Sequence, residues 1–205
     1  MNITAESVRL LREQTGAGMM DCKSALVEAE GDMNKAQEVL RKKGLAAAAK
    51  RANRTASEGM IGHYIHPGAK VGVLVEVNCE TDFVAKNGDF QAMVRDVAMH
   101  IAAASPTYVT KEEVPQAIID KEKEIYRAQA MGAGKPEAVA DKIAEGKLKD
   151  FYATQCLLEQ AFVKDPKVTV GQLIQEKVAV IKENILVRRF ARFRVGDATP
   201  GSPTE

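Results

Sequence analysis

The chain has 205 residues, of which 45% are hydrophobic and 28% charged, the make-up of a globular protein with room for one or two packed domains. Its 29 Lys and Arg residues face 28 Asp and Glu, and a formal charge of +1 offers no global electrostatic pull towards nucleic acid or an anionic membrane. No apolar run approaches membrane-spanning length, and Met1 to Glu6 lack a basic region followed by an apolar core, so a cytoplasmic location without membrane contact is expected.

Three short helices are expected first. One runs from Thr4 to Thr15, with Val8 and Leu11 on a stripe, and ends at Gly16-Ala17-Gly18. A second is capped by Asp21, carries Cys22, Ala25, Leu26 and Ala29, and stops at Gly31. A third is capped by Asp32, turns Met33, Ala36, Val39 and Leu40 inward, and stops at Gly44. The Ala-rich and then polar run from Leu45 to Gly59 suits a helical extension fading into a linker. The domain boundaries read as 1–54 for the helical module, 55–196 for a core, and 197–205 for a tail too polar to order itself.

The period then changes from helical to two. Met60 to His66 and Lys70 to Cys79 read as a β-hairpin turning at Pro67-Gly68, with Val71, Val73, Val75, Val77 and Cys79 on one face. Helical spacing follows at Phe90, Val94, Val97 and Ile101, then at Ile118 to Tyr126 and at Val139 to Tyr152. The break at Met131 to Pro136 makes the last two an antiparallel hairpin. Leu173, Ile174, Val178 and Ile181 mark one more helix. Ile185 to Val195 reads as a third strand, with Val187, Ala191, Phe193 and Val195 on one face. The fold class is therefore α+β: an N-terminal three-helix domain, then a three-stranded antiparallel sheet packed with helices and a helical hairpin.

No catalytic constellation emerges, and the expectation is not an enzyme. Cys22, Cys79 and Cys156 are widely separated and form neither a disulfide framework nor a zinc motif, so they read as buried or half-buried thiols. His63 and His66, three apart on a strand, point to opposite faces and do not chelate one ion, and His100 falls on the polar flank of a helix. No metal or other cofactor is expected. Arg41-Lys42-Lys43, Lys50, Arg51 and Arg54 read as a solvated helix end, with an RNA- or ribosome-associated binding module as the alternative. Aromatic residues are only 5% of the chain and none interleaves with this basic run, which leaves little for bases to stack on.

Two features resist packing rules. Met19-Met20 fall in the bend between the first two helices, where they form either an exposed, polarisable protein-binding patch or a staple of Met20 onto Ala25. Thr81 can cap a helix whose first turn carries Asp82 and Phe83, and that Phe is either a core contact or a probe.

At these residues a family resemblance appears. The run from Leu11 through Thr15-Gly16-Ala17-Gly18-Met19-Met20-Asp21-Cys22 to Leu26 resembles the amino-terminal signature of elongation factor Ts, and Glu76 through Thr81-Asp82-Phe83-Val84 to Asn87 is similar to its second signature. The likeness continues through Met99 to Ala102, Gly134 to Pro136, Glu145 to Lys149 and Val187 to Phe190. It implies a guanine nucleotide exchange factor for elongation factor Tu, with a helical domain like a ubiquitin-associated domain. It also implies partner contacts at Arg12, Met19, Met20, His66, Thr81, Asp82, Phe83 and Val84, with Phe83 as a wedge beside the partner's magnesium and phosphate site. Longer family members carry two related core subdomains. The single hairpin here, running straight into the Thr81-Asp82-Phe83-Val84 motif, implies the short form and a homodimer.

Overall fold

The computed structural model describes residues 3–197, so the tail expected at 197–205 lies, beyond Asp197, outside the described residues. The elements in chain order are α1 (Ala5–Thr15), α2 (Met19–Glu28), α3 (Met33–Arg51), β1 (Glu58–Ile65), β2 (Val71–Cys79), α4 (Asp82–Ala85), α5 (Gly88–Ala104), α6 (Gln116–Gly132), α7 (Glu137–Gln155), β3 (Ala161–Phe162), β4 (Asp165–Thr169), α8 (Val170–Ile181) and β5 (Leu186–Arg194). The architecture is α+β. The main sheet is antiparallel with strand order β1-β2-β5, and β3 and β4 form a separate small hairpin. The described residues group into two compact units. One takes in the chain up to Met60 with Val77–Gln91 and Leu173–Leu186, and the other takes in Ile61–Glu76, Ala92–Gln172 and the chain from Val187.

In the first unit, Thr4 caps α1 by accepting the Ser7 N–H at 3.1 Å, and Gly16 closes it by donating its N–H to the Arg12 carbonyl. Val8, Leu11, Cys22, Ala25, Leu26, Ala29 and Ala36 form the core of the three-helix module, with Met33, Val39 and Leu40 packed against it. Two boundaries differ from expectation. α2 begins at Met19, so Asp21 sits in its first turn instead of capping it, where its charge still faces the positive end of the dipole. α3 passes through Gly44 without a break and takes in the helical extension expected from Leu45 as far as Arg51, which puts Arg41 to Lys43 in mid-helix. Gly44 is there for proximity: a Cβ on it would lie 2.9 Å from Ala179 Cβ of α8, so the glycine lets two helices approach. Arg41 to Glu176 (3.6 Å) and Lys182 to Asp21 (3.5 Å) add exposed ion pairs between the module and the α8 segment.

In the second unit, α5 covers one face of the sheet. A Cβ on Gly62 of β1 would lie 2.3 Å from Val94 Cγ1 of α5 and 3.4 Å from Val75 Cγ1 of β2, so the residue must be glycine for helix and strand to meet. The face expected for β5 splits. Val187 is buried, but Phe193 and Val195 are exposed, and it is Arg192 that turns in and donates from Nε and Nη2 to the Ala102 carbonyl at the end of α5. Ile61, Leu74 and Phe193, adjacent in sequence to Gly62, Val75 and Arg192, therefore point away from α5 and are all exposed. Ile65 joins them, since its Cδ1 would be met by a Cβ on Gly72.

His100 is a second correction. It is fully buried, not on a polar flank. Its Nδ1 accepts the Val163 N–H at 3.3 Å, which puts the ring proton on Nε2, 2.9 Å from Gln160 Oε1. Gln160 in turn donates to the Thr154 carbonyl at 2.6 Å. Burial holds the His100 pKa below its ordinary value. α6 and α7 form the expected hairpin, pinned by Arg127 to Glu137 and to Asp141 and by Lys147 donating to Gln129 at 2.9 Å.

Candidate protein-docking site

The turn that follows β2 presents the most unusual side chain of the protein. Thr81 is extended (φ −130°, ψ 154°) and caps α4, its Oγ1 accepting the Val84 N–H at 3.4 Å. A four-residue helix has too few internal hydrogen bonds to hold itself, so its stability comes from outside. Glu183 supplies it: Oε2 accepts the Glu80 and Thr81 N–H groups at 3.1 Å each, and Oε1 accepts the Thr81 hydroxyl at 2.7 Å. The Cys79 thiol donates to the Thr81 carbonyl at 3.1 Å, and burial pushes that thiol's pKa up.

On this held turn, Phe83 is 81% exposed. A core role is thereby excluded, and the favourable burial of a Phe, about 1.5–3 kcal/mol, goes unused in the isolated chain. Asp82 beside it is exposed and accepts from Lys86 Nζ at 2.7 Å, a bond that holds its carboxyl below the usual carboxylate range and raises Lys86. Val84 is half-buried and is the side of the turn that faces the protein.

The other expected positions fall as follows. Met19 and Met20 occupy the first turn of α2, and Met20 is 75% exposed, so it does not staple onto the fully buried Ala25. Arg12 is exposed in the last turn of α1. Leu10 and Val27 on the same three-helix module are also exposed, which helical spacing alone did not single out. These residues share a unit with Phe83. His66 belongs to the other unit, where it is exposed at the hairpin turn, bonded through its N–H to the Val71 carbonyl, with Nδ1 3.2 Å from the Tyr64 hydroxyl. Among the described residues, no three His, Cys, Asp or Glu side chains gather as a metal site, and no helix is long and apolar enough to cross a membrane. All three cysteines are free and buried, and burial raises Cys156 to about 11.

Fold and surface together define an α+β protein that offers exposed apolar side chains on hydrogen-bonded turns and helix ends. A family model described as Elongation factor TS matches residues 33–197. The elongation factor Ts of Geobacter sulfurreducens is 61% identical over 197 residues, covering 96% of this chain and 91% of the relative. That of Thermoanaerobacter sp. is 55% identical over 203 residues, covering 99% of this chain and 100% of the relative. The chain belongs to the elongation factor Ts family, and its role lies in translation elongation.

Proposed function

We propose that this protein is a cytoplasmic guanine nucleotide exchange factor that binds elongation factor Tu in its GDP form and promotes GDP release without making or breaking a covalent bond. The observation that carries the reading is Phe83, four-fifths exposed on a turn fixed by three hydrogen bonds to one carboxylate. In this reading the helical module at 1–54 docks on the partner through Arg12, Met19 and Met20, and Thr81, Asp82, Phe83 and Val84 enter beside its metal and phosphate site. His66 contributes from the hairpin turn of the 55–196 core. Reciprocal coupling supplies the driving force: a factor that weakens nucleotide binding is itself bound more weakly when nucleotide is present, so incoming GTP displaces it. Each tenfold weakening takes about 1.4 kcal/mol.

The sheet face turned away from α5 supports a second part of the proposal, a homodimer. Ile61, Ile65, Leu74 and Phe193 lie exposed on it, and the neighbouring pair Arg189 to Glu76 (2.7 Å) presents both signs, so the face meets a second copy of itself without like-charge conflict. The test of the main reading is release of labelled GDP from elongation factor Tu with and without the protein. Wild-type chain accelerates release, and Phe83→Ala loses most of that acceleration. No acceleration by the wild type sinks the function, and full acceleration by the variant sinks the site.

A further inference from the structure

We infer that Glu183 and Asn184, at the junction of α8 and β5, are positioning residues that fix the pose of the Phe83 turn and tie it to the chain leaving α3. This rests on the reading of Phe83 as the working probe. The two residues trade bonds with Glu80 and Thr81 across more than a hundred positions of sequence. Glu183 accepts both backbone N–H groups and the Thr81 hydroxyl, and Glu80 returns the exchange by accepting the Asn184 N–H at 2.6 Å. Asn184 is almost fully buried, and its side-chain amide donates to the carbonyls of Ala52 (3.3 Å) and Arg54 (2.7 Å), while Arg54 stands 3.6 Å from the Glu80 carboxylate.

Every contact in this clasp lies within one compact unit, the unit that also carries Met19 and Met20. Lys182, at φ 68°, takes the left-handed conformation that turns the chain out of α8 and into the clasp. A strained non-glycine residue at that point fits a segment whose direction matters. Bonds to an ionised acceptor are the stronger and more directional kind, and they stand in for the apolar packing that an exposed Phe on a one-turn helix cannot have. The clasp therefore decides where Phe83 points, and its loss should impair release while leaving the docking residues untouched.

The test measures GDP release from elongation factor Tu across a range of factor concentrations, with the full chain and its variants, each checked by circular dichroism. Glu183→Ala lowers the maximal release rate at least about tenfold, because a small misplacement of a reacting group carries that order of loss. Its half-saturating concentration stays within about twofold, since the docking residues are intact. Glu183→Gln keeps an acceptor for the Thr81 hydroxyl and recovers part of the rate. If Glu183→Ala fails to fold, Thr81→Val removes one of the three clasp bonds, together with the cap to the Val84 N–H, and lowers the maximal release rate in the same direction by a smaller factor. The deciding measurement is the double variant Phe83→Ala, Glu183→Ala, which releases GDP no more slowly than Phe83→Ala alone if Glu183 acts through Phe83. If Phe83→Ala slows release but Glu183→Ala and Thr81→Val do not, or if the two losses simply multiply, the inference is overturned and the probe reading survives. If Phe83→Ala itself changes nothing, the probe reading falls and takes this inference with it.

Discussion

The proposed dimer is tested most directly by Leu74→Asp. Leu74 is 50% exposed in the single chain, so about half of the 1.5–3 kcal/mol of a fully buried Leu, roughly 1 kcal/mol, remains to be gained by covering it. Replacing it with Asp forfeits that gain and places a carboxylate where a second copy would strip its water, for roughly another 2 kcal/mol. A twofold interface contains the substitution twice, which brings the total to about 6 kcal/mol, or about four orders of magnitude in the dissociation constant. The fold of one chain should be nearly indifferent, because exposed substitutions usually move stability by no more than about 0.5 kcal/mol. Sedimentation velocity at about 10 µM, well above the dissociation constant of an ordinary specific interface, should show a dimer for wild type and a monomer for Leu74→Asp, with matching circular dichroism. A wild-type monomer refutes the reasoning, and so does a variant that stays dimeric.

Other expectations can be checked on the same preparations. Phe83→Ala should leave thermal stability within about 0.5 kcal/mol, a shift of about 1–2 °C, and a fall of about 6 °C or more would mean that Phe83 holds structure. Gly62→Ala should cost about 1–3 kcal/mol by forcing Val94 and α5 off the sheet, visible as a lowered denaturation midpoint, and Val94→Ala should restore part of it. His100 gives a pH dependence. Its folded pKa is depressed below 6.5, so the unfolded chain binds the extra proton, and stability present above pH 6.5 is lost as pH falls through that value towards the folded pKa. The slope from this one group is at most about 1.4 kcal/mol per pH unit, and His100→Gln should flatten the denaturation midpoint between pH 7 and 5.

The order of the main helices and of the three sheet strands was readable from residue spacing because strong local signals dominate it, whereas the short β3–β4 hairpin carries no such signal. Thr4 and Asp32 cap helices as their side chains demand, and Thr81 does the same for α4. Local rules fail where tertiary contacts override them. Gly44 reads as a helix stop, yet its role is to let α8 approach, and the helix runs on for another two turns. In β5 the alternation of apolar and Arg residues predicts one shared apolar face, but Val187 is buried while Phe193 is exposed, and Arg192 finds a carbonyl acceptor at the end of α5 and turns inward. Of the candidate site, spacing isolated Met19-Met20 and Asp82-Phe83 but could not decide between packing and presentation. The exposures of Met20 and Phe83 exclude packing within the chain. Glu183 and Asn184 were invisible, because nothing local marks a pair of polar residues whose partners lie a hundred positions away.

If Phe83 acts as the proposed wedge, the groups it displaces must yield before it does, and this sets a requirement on its turn. Three hydrogen bonds to the Glu183 carboxylate, taken at the low end of about 1.5 kcal/mol each because the site is partly open to water, resist displacement of the turn by about 4.5 kcal/mol. At about 1.4 kcal/mol per decade, a turn acting in this way imposes a loss of nucleotide affinity of about a thousandfold before bending back. Phe is suited to the role, since its ring has only two torsions to immobilise and its burial energy is still available when it meets a partner. In the proposed function the apolar side chain supplies the energy of insertion, and the polar clasp supplies the stiffness that directs it. Neither alone would make an exchange factor: an unheld Phe would find the nearest apolar surface, and a held polar residue would have little to gain by entering a packed partner.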